Sequence, residues 1–258
     1  MKPIKLTIQI EALNESNIDC FIFNEAENIQ LNFLISDGSI TLNKENLLAT
    51  IIYTNQHQLE KVIRSAIKGN IKVGQIISCV FIEDFKFLKD NDFMKFIRVD
   101  TRSGNLNMTM SDYGSKDIYK VYADGSFVSE TKKSGYGGFI EEPDGKQNIF
   151  YQSFDDGSSN LMELLAVTEG LQRLQSVQRL QINTDSRYVI RGLVQWCHFW
   201  KHNNWQTAYG RDVRYAKQWQ QAFSLCQNKF VEFKWIKGHS GNMKQDFCHQ
   251  LAKEITTR

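Results

Sequence analysis

A chain of 258 residues with 41% hydrophobic and 23% charged residues has the length of one large or two modest domains and the composition of a globular protein. No run approaches the roughly 18 apolar residues that a membrane span needs, the N-terminus lacks the apolar stretch and small-residue cleavage site of a signal peptide, and five scattered cysteines without a CxxC pair argue against a zinc site and for reduced thiols in a cytoplasmic protein. The net charge of +2 is unevenly spread: residues 1–115 hold 12 Lys and Arg against 14 Asp and Glu, the remainder 19 against 15, so a polyanion would meet the second half more readily.

The first half opens on alternating Ile4, Leu6, Ile8 and Ile10, the period of a half-buried strand. Phe21–Phe23 and Ile29–Ile35 read as further strands, with Ser36-Asp-Gly-Ser39 as a turn. A helix is expected over 55–68, with Leu59, Val62, Ile63 and Ala66 on one face and Gly69-Asn70 as its stop. Val73–Phe81 is another strand candidate, and a boundary is expected near Thr101–Lys116, where turn residues cluster without apolar periodicity.

The second half reads as three strands, a helix, a strand, two helices, a strand and a final helix. Ile118–Ala123 leads into Asp124, and Gly135–Ile140 and Asn148–Tyr151 pair across a turn at Pro143-Asp-Gly145. Leu161, Leu164, Leu165, Val167, Thr168 and Leu171 form a helical stripe over 160–174. Leu180–Thr184 and Val231–Ile236 are short strands, and residues 242–255 close the chain as a helix. This order indicates an α/β layer fold with a mixed sheet.

Three acids stand at element junctions. Asp124 and Asp185 each end a strand, and Glu163 lies in the first turn of a helix. Singly, each suits a cap or a solvated face. Together they make a poor core and a good set of hard oxygen ligands for divalent cations, suited to cutting a phosphodiester. Between Gly192 and Trp219, Trp196, Phe199, Trp200, Trp205, Tyr209 and Tyr215 alternate with Lys201, His202, Arg211, Arg214 and Lys217, faces and charges that fit bases, sugars and phosphates, although some of these rings must pack on one another.

Six segments in order, Ala123-Asp-Gly-Ser126, Ser134-Gly-Tyr-Gly-Gly138, Ser159-Asn-Leu-Met-Glu-Leu164, Thr184-Asp-Ser-Arg-Tyr-Val189, Trp235-Ile-Lys-Gly-His-Ser-Gly241 and Cys248-His-Gln-Leu-Ala252, resemble the bacterial type of the ribonuclease H family across about residues 117–256. The resemblance implies a five-stranded mixed sheet flanked by helices over 117–258; residues 1–112 are expected, outside the resemblance, to form a smaller α+β domain. It implies an endonuclease that cleaves the RNA strand of RNA–DNA hybrids with two Mg²⁺ ions, leaving 5′-phosphate and 3′-hydroxyl ends. Asp124, Glu163 and Asp185 take the positions of metal-binding acids, and His239 that of a loop histidine in proton transfer or product release. Gly125, Ser126, Ser158, Ser159 and Asn160 fall at or beside positions that contact the hybrid. Trp200, Lys201, Trp205, Arg211 and Arg214 fall in a basic protrusion that touches the DNA strand.

One departure stands out: the family's fourth acid is replaced by His249. Three readings follow. His249 acts as a metal ligand in the acid's place, with a bias towards Mn²⁺; Asp246, three residues earlier, compensates; or catalysis is impaired and the protein binds nucleic acid without turnover. A nuclease for a different nucleic acid is a further alternative. Residues 1–112 carry no recognised motif, and protein contact, self-association or positioning is the expectation for them.

Overall fold

The computed structural model describes residues 3–82, 88–104, 106–207, 211–238 and 240–257. His239 and Tyr209 lie outside the described residues. The chain forms two units, Met1–Lys86 with His198–Arg214, and Phe87–Cys197 with Tyr215–Arg258.

In the first unit, β1 (Pro3–Leu13), β2 (Asn17–Phe23), β3 (Asn28–Leu34), β4 (Ile40–Leu42) and β5 (Ile76–Ile82) make an antiparallel sheet in the order β4-β3-β2-β1-β5. Alternation sends Leu6, Ile8, Ile10, Ile18, Cys20, Ile22, Ile29, Leu31 and Phe33 into one core with Leu48, Ile52, Leu59, Val62 and Ile63 of two helices, α1 (Leu47–Thr54) and α2 (Gln56–Lys68). The expected strands and the 55–68 helix are present; α1 is an additional element, capped by the Asn46 side chain, which accepts from Ala49 N at 2.8 Å.

The second unit holds β6 (Phe96–Asp100), β7 (Asn107–Ser111), β8 (Tyr119–Phe127), β9 (Ser134–Glu141), β10 (Gln147–Phe154), α3 (Ser159–Arg173), β11 (Arg179–Thr184) and α4 (Arg187–Arg191). A π-helical turn (Gly192–Trp196) leads into α5 (Cys197–His202), which crosses into the first unit; α6 (Ala216–Leu225), β12 (Phe230–Trp235) and α7 (Met243–Thr257) complete the chain. The sheet order is β10-β9-β8-β11-β12-β6-β7, with β8, β11 and β12 parallel and the other pairs antiparallel. The expected five-stranded mixed sheet is thus present and is lengthened by β6 and β7, both from residues 1–112 that were expected to lie in the preceding domain.

Neighbouring residues of β8 show how the layers are arranged. Val121 faces α3, where Gly170 leaves no room for a Cβ, whereas Tyr122 stacks on Phe139 beside Cys248 of α7. Successive strand side chains point to opposite faces, so α3 and α7 cover opposite sides of the sheet. All five cysteines are buried and free. Among the described residues, no helix is long and apolar enough to cross a membrane.

Candidate active site

The site follows from strand register. β8 and β11 run parallel with Tyr122 opposite Asn183, so two residues further on Asp124 and Asp185 emerge level at the same end of adjacent strands, about 4.8 Å apart in the sheet direction. Asp124 has the parity of Tyr122, which puts its side chain on the α7 face; it is 4% exposed. Glu163 is the fifth residue of α3, just past the first turn in which the sequence placed it. That helix end approaches β8 closely because residue 125 is glycine: a Cβ there would overlap the backbone of Met162 and Glu163.

Each acid is held by a protein donor. Asp124 Oδ1 accepts from Gly125 N at 2.7 Å, and its Oδ2 lies 2.9 Å from His249 Nδ1. Asp185 Oδ1 accepts from Gln245 Nε2 at 3.3 Å, and Trp235 Nε1 donates to the Asp185 carbonyl at 2.8 Å. Ser186 Oγ donates to Glu163 Oε2 in a short hydrogen bond and accepts from Val189 N, capping α4. Burial pushes the Glu163 carboxyl up to about 7; the Ser186 bond opposes this, while the charges of Asp185 and Asp124 add to it.

Among the described residues, no three or more His, Cys, Asp or Glu side chains are grouped closely enough to hold a metal ion. The donor chemistry nonetheless fits a hard divalent cation. The donors are carboxylate oxygens, and Glu163 is raised by burial first and by the charges of Asp185 and Asp124 after it.

The remaining expected residues are placed as follows. Asp246 follows Gln245, about 100° further round α7, and is exposed. Gly238, the residue before His239 in sequence, borders the site: a Cβ on it would lie 2.8 Å from Asp185 Oδ2. Ser158 is the α3 N-cap, its Oγ accepting from Leu161 N at 3.3 Å and lying 2.8 Å from the Tyr215 hydroxyl. Ser159 and Asn160 are exposed at the start of α3, and Gly125 and Ser126 are half-buried at the end of β8.

The aromatic and basic segment divides. Trp196 packs edge-on to Tyr188, and Tyr188 packs on the fully buried Trp219, both in the second unit. Trp200, Lys201, Trp205, Arg211 and Arg214 belong to the first unit. Asn204 and Trp205 take left-handed backbone angles, Val213 N donates to the Trp205 carbonyl at 3.0 Å, and Gln206 bridges Asp212, which pairs 205–207 with 211–213. Lys201, Arg211 and Arg214 are exposed, and Trp200 and Trp205 are half-buried.

Sequence reasoning missed Ser186 and Gln245. Ser186 carried a signal, a serine between a strand end and a helix, which is an N-cap position; Gln245 carried only its spacing of four from His249.

A family model described as RNase H matches residues 116–257. Ribonuclease H of Idiomarina loihiensis is 36% identical over 144 residues, 56% of this chain and 90% of that protein. Ribonuclease H of Actinobacillus pleuropneumoniae serotype 5b is 33% identical over 136 residues, 53% of this chain and 88% of that protein. Among solved structures, that of LC9-RNase H1, described as a type 1 RNase H with the type 2 active-site motif, is 25% identical with a TM-score of 0.49, covering 56% of this chain and 74% of that one.

Proposed function

Since this chain belongs to the ribonuclease H family, with the match spanning more than half its length, we propose that it is an endonuclease hydrolysing the RNA strand of RNA–DNA hybrids to 5′-phosphate and 3′-hydroxyl ends. The observation that carries the reading is the approach of Asp124, Asp185 and Glu163 from two adjacent strands and the N-terminal half of α3, with Glu163 raised by burial and further by the charges of the two aspartates. These three carboxylates would hold two divalent cations, Mg²⁺ or Mn²⁺, which supply an activated water and neutralise charge on the leaving oxygen.

The chain's own residues hold and orient. Gly125 brings Glu163 within range of β8, Ser186 fixes the Glu163 carboxylate, and Trp235 pins the backbone at Asp185. Exposed Ser159 and Asn160 offer groups that can donate and accept, as sensing a 2′-hydroxyl requires. Lys201, Arg211 and Arg214, beside Trp200 and Trp205, would bind the DNA strand through phosphate and sugar. His239 is assigned to proton transfer or product release.

The test is incubation with labelled RNA–DNA hybrid, duplex RNA and duplex DNA, each with Mg²⁺, Mn²⁺ or chelator. Metal-dependent cutting of the hybrid alone is expected. Hybrid binding without cutting would instead identify a nucleic-acid-binding protein whose turnover was lost with the fourth acid, and cutting of duplex RNA would identify a different substrate.

A further inference from the structure

We infer that α7 is a two-point clamp, in which Gln245 holds Asp185 and His249 holds Asp124, so that His249 acts as a positioning residue for an ion-binding carboxylate. The inference rests on the reading of the acids as a cation site. Gln245 and His249 are spaced i, i+4 on one helix, which sets their side chains on one face about 6 Å apart. The two aspartates stand on adjacent strand ends at a similar spacing, so a single helix face matches both.

Hydrogen-bond chemistry fixes the orientation of each side chain. Gln245 Nε2 faces the Ala123 carbonyl at 3.4 Å and Asp185 Oδ1 at 3.3 Å, and both of these only accept, so the amide nitrogen must point there. Its Oε1 is left buried without a hydrogen-bond partner among the described residues, and the side chain as a whole is 2% exposed. An amide that leaves its oxygen unsatisfied is being held by its nitrogen. In His249, Nδ1 lies 2.9 Å from Asp124 Oδ2, so that ring nitrogen is engaged with the carboxylate. Imidazole in this place attracts Asp124, where a carboxylate would repel it. The aspartate pair is therefore held in register by the helix itself.

The test uses the full chain and three variants, His249→Asn, His249→Gln and Gln245→Ala. Asparagine places its amide nitrogen where Nδ1 stands; glutamine places its own near Nε2. Calorimetric titration with MnCl₂ alone is expected to show His249→Asn within about threefold of wild type, and His249→Gln and Gln245→Ala about tenfold weaker. Wild-type affinity in His249→Gln together with loss in His249→Asn would overturn the inference, since the ring would then act through Nε2 as a ligand. A second measurement needs no cation: urea unfolding in chelator of His249→Ala, Asp124→Ala and the double variant. The double variant is expected to lose less stability than the two single losses combined. Additive losses would overturn the clamp. Intact coupling in a protein that takes up no cation would support the clamp and remove the metal-site reading.

Discussion

Glu163 is the side chain whose state reports most on the site. Its carboxyl is raised from 4.5 to about 7 in the folded protein, so the native state holds that proton more tightly than the unfolded chain does. The stabilisation is full below pH 4.5 and is lost as pH rises through 7. In chelator, the protein is expected to lose about 2 kcal/mol between pH 5 and pH 8 in urea unfolding, and Glu163→Gln is expected to flatten that slope. An unchanged slope would place the shift elsewhere. Gly125 makes the second prediction at this scale. A methyl group there meets backbone, which cannot swing aside, so Gly125→Ala is expected to displace the start of α3, lower stability by about 2 kcal/mol and depress hybrid cleavage at least tenfold. Wild-type melting and cleavage would contradict the close approach. The positions of Asp124 and Asp185 near strand ends were legible from sequence because Gly125 and Ser186 follow them, and that of Glu163 near the start of a helix because the apolar stripe begins at Leu161. Gln245 was not, because its role exists only once α7 lies across β8 and β11.

Among the elements, the addition of β6 and β7 to the sheet turns on one buried charge. Glu232 on β12 is fully buried opposite Arg98 on β6, with Arg98 Nε at 2.8 Å, Ser115 N at 2.9 Å and Gln181 Nε2 at 2.5 Å. Burial pushes its carboxyl up, but the bonds from Arg98, Ser115 and Gln181 outweigh that and hold it below its ordinary value. Arg98→Ala strands a buried charge and is expected to cost about 3 kcal/mol in urea unfolding at pH 7, with the loss shrinking below pH 4.5 as Glu232 takes up a proton in the variant. A loss under 0.5 kcal/mol would show that the strand pair does not depend on this charge. These strands escaped the sequence reading for a physical reason. β7 is largely exposed and polar, Asn-Met-Thr-Met-Ser, and β6 has only Ile97 and Val99 as buried apolar positions, too short an alternation to stand out. The α1 helix was hidden likewise by a continuous apolar run, which carries no period.

For the whole molecule, His198–Arg214, the segment proposed to bind the DNA strand, is grouped with Met1–Lys86. Within that unit, a cavity of about 700 Å³ is lined by Lys5, Thr7 and Ser65 from the N-terminal module and by His202, Asn203 and Gln206 from the protrusion. Burial, then the charges of Lys201 and Lys5, lowers the His202 pKa. The protrusion that sequence alone assigned to the second half therefore has its packing partners in the first, a link that no local pattern encodes. Replacing exposed Lys201, Arg211 and Arg214 with Gln is expected to weaken hybrid binding about tenfold and to flatten its dependence on salt by roughly one unit of log–log slope per lost phosphate contact, with thermal stability unchanged. An unaltered salt slope would remove these three side chains from the hybrid interface.

The most direct measurement is the initial rate of cleavage of a labelled RNA–DNA hybrid in Mg²⁺ and in Mn²⁺ by the wild type and by Asp124→Asn, Glu163→Gln and Asp185→Asn, with folding checked by circular dichroism. Each amide variant is expected to fold, bind hybrid and cut about a thousandfold more slowly, because each loses a charge that holds the cations. Cleavage at the wild-type rate by any of the three, or cleavage that persists in chelator, would contradict the account.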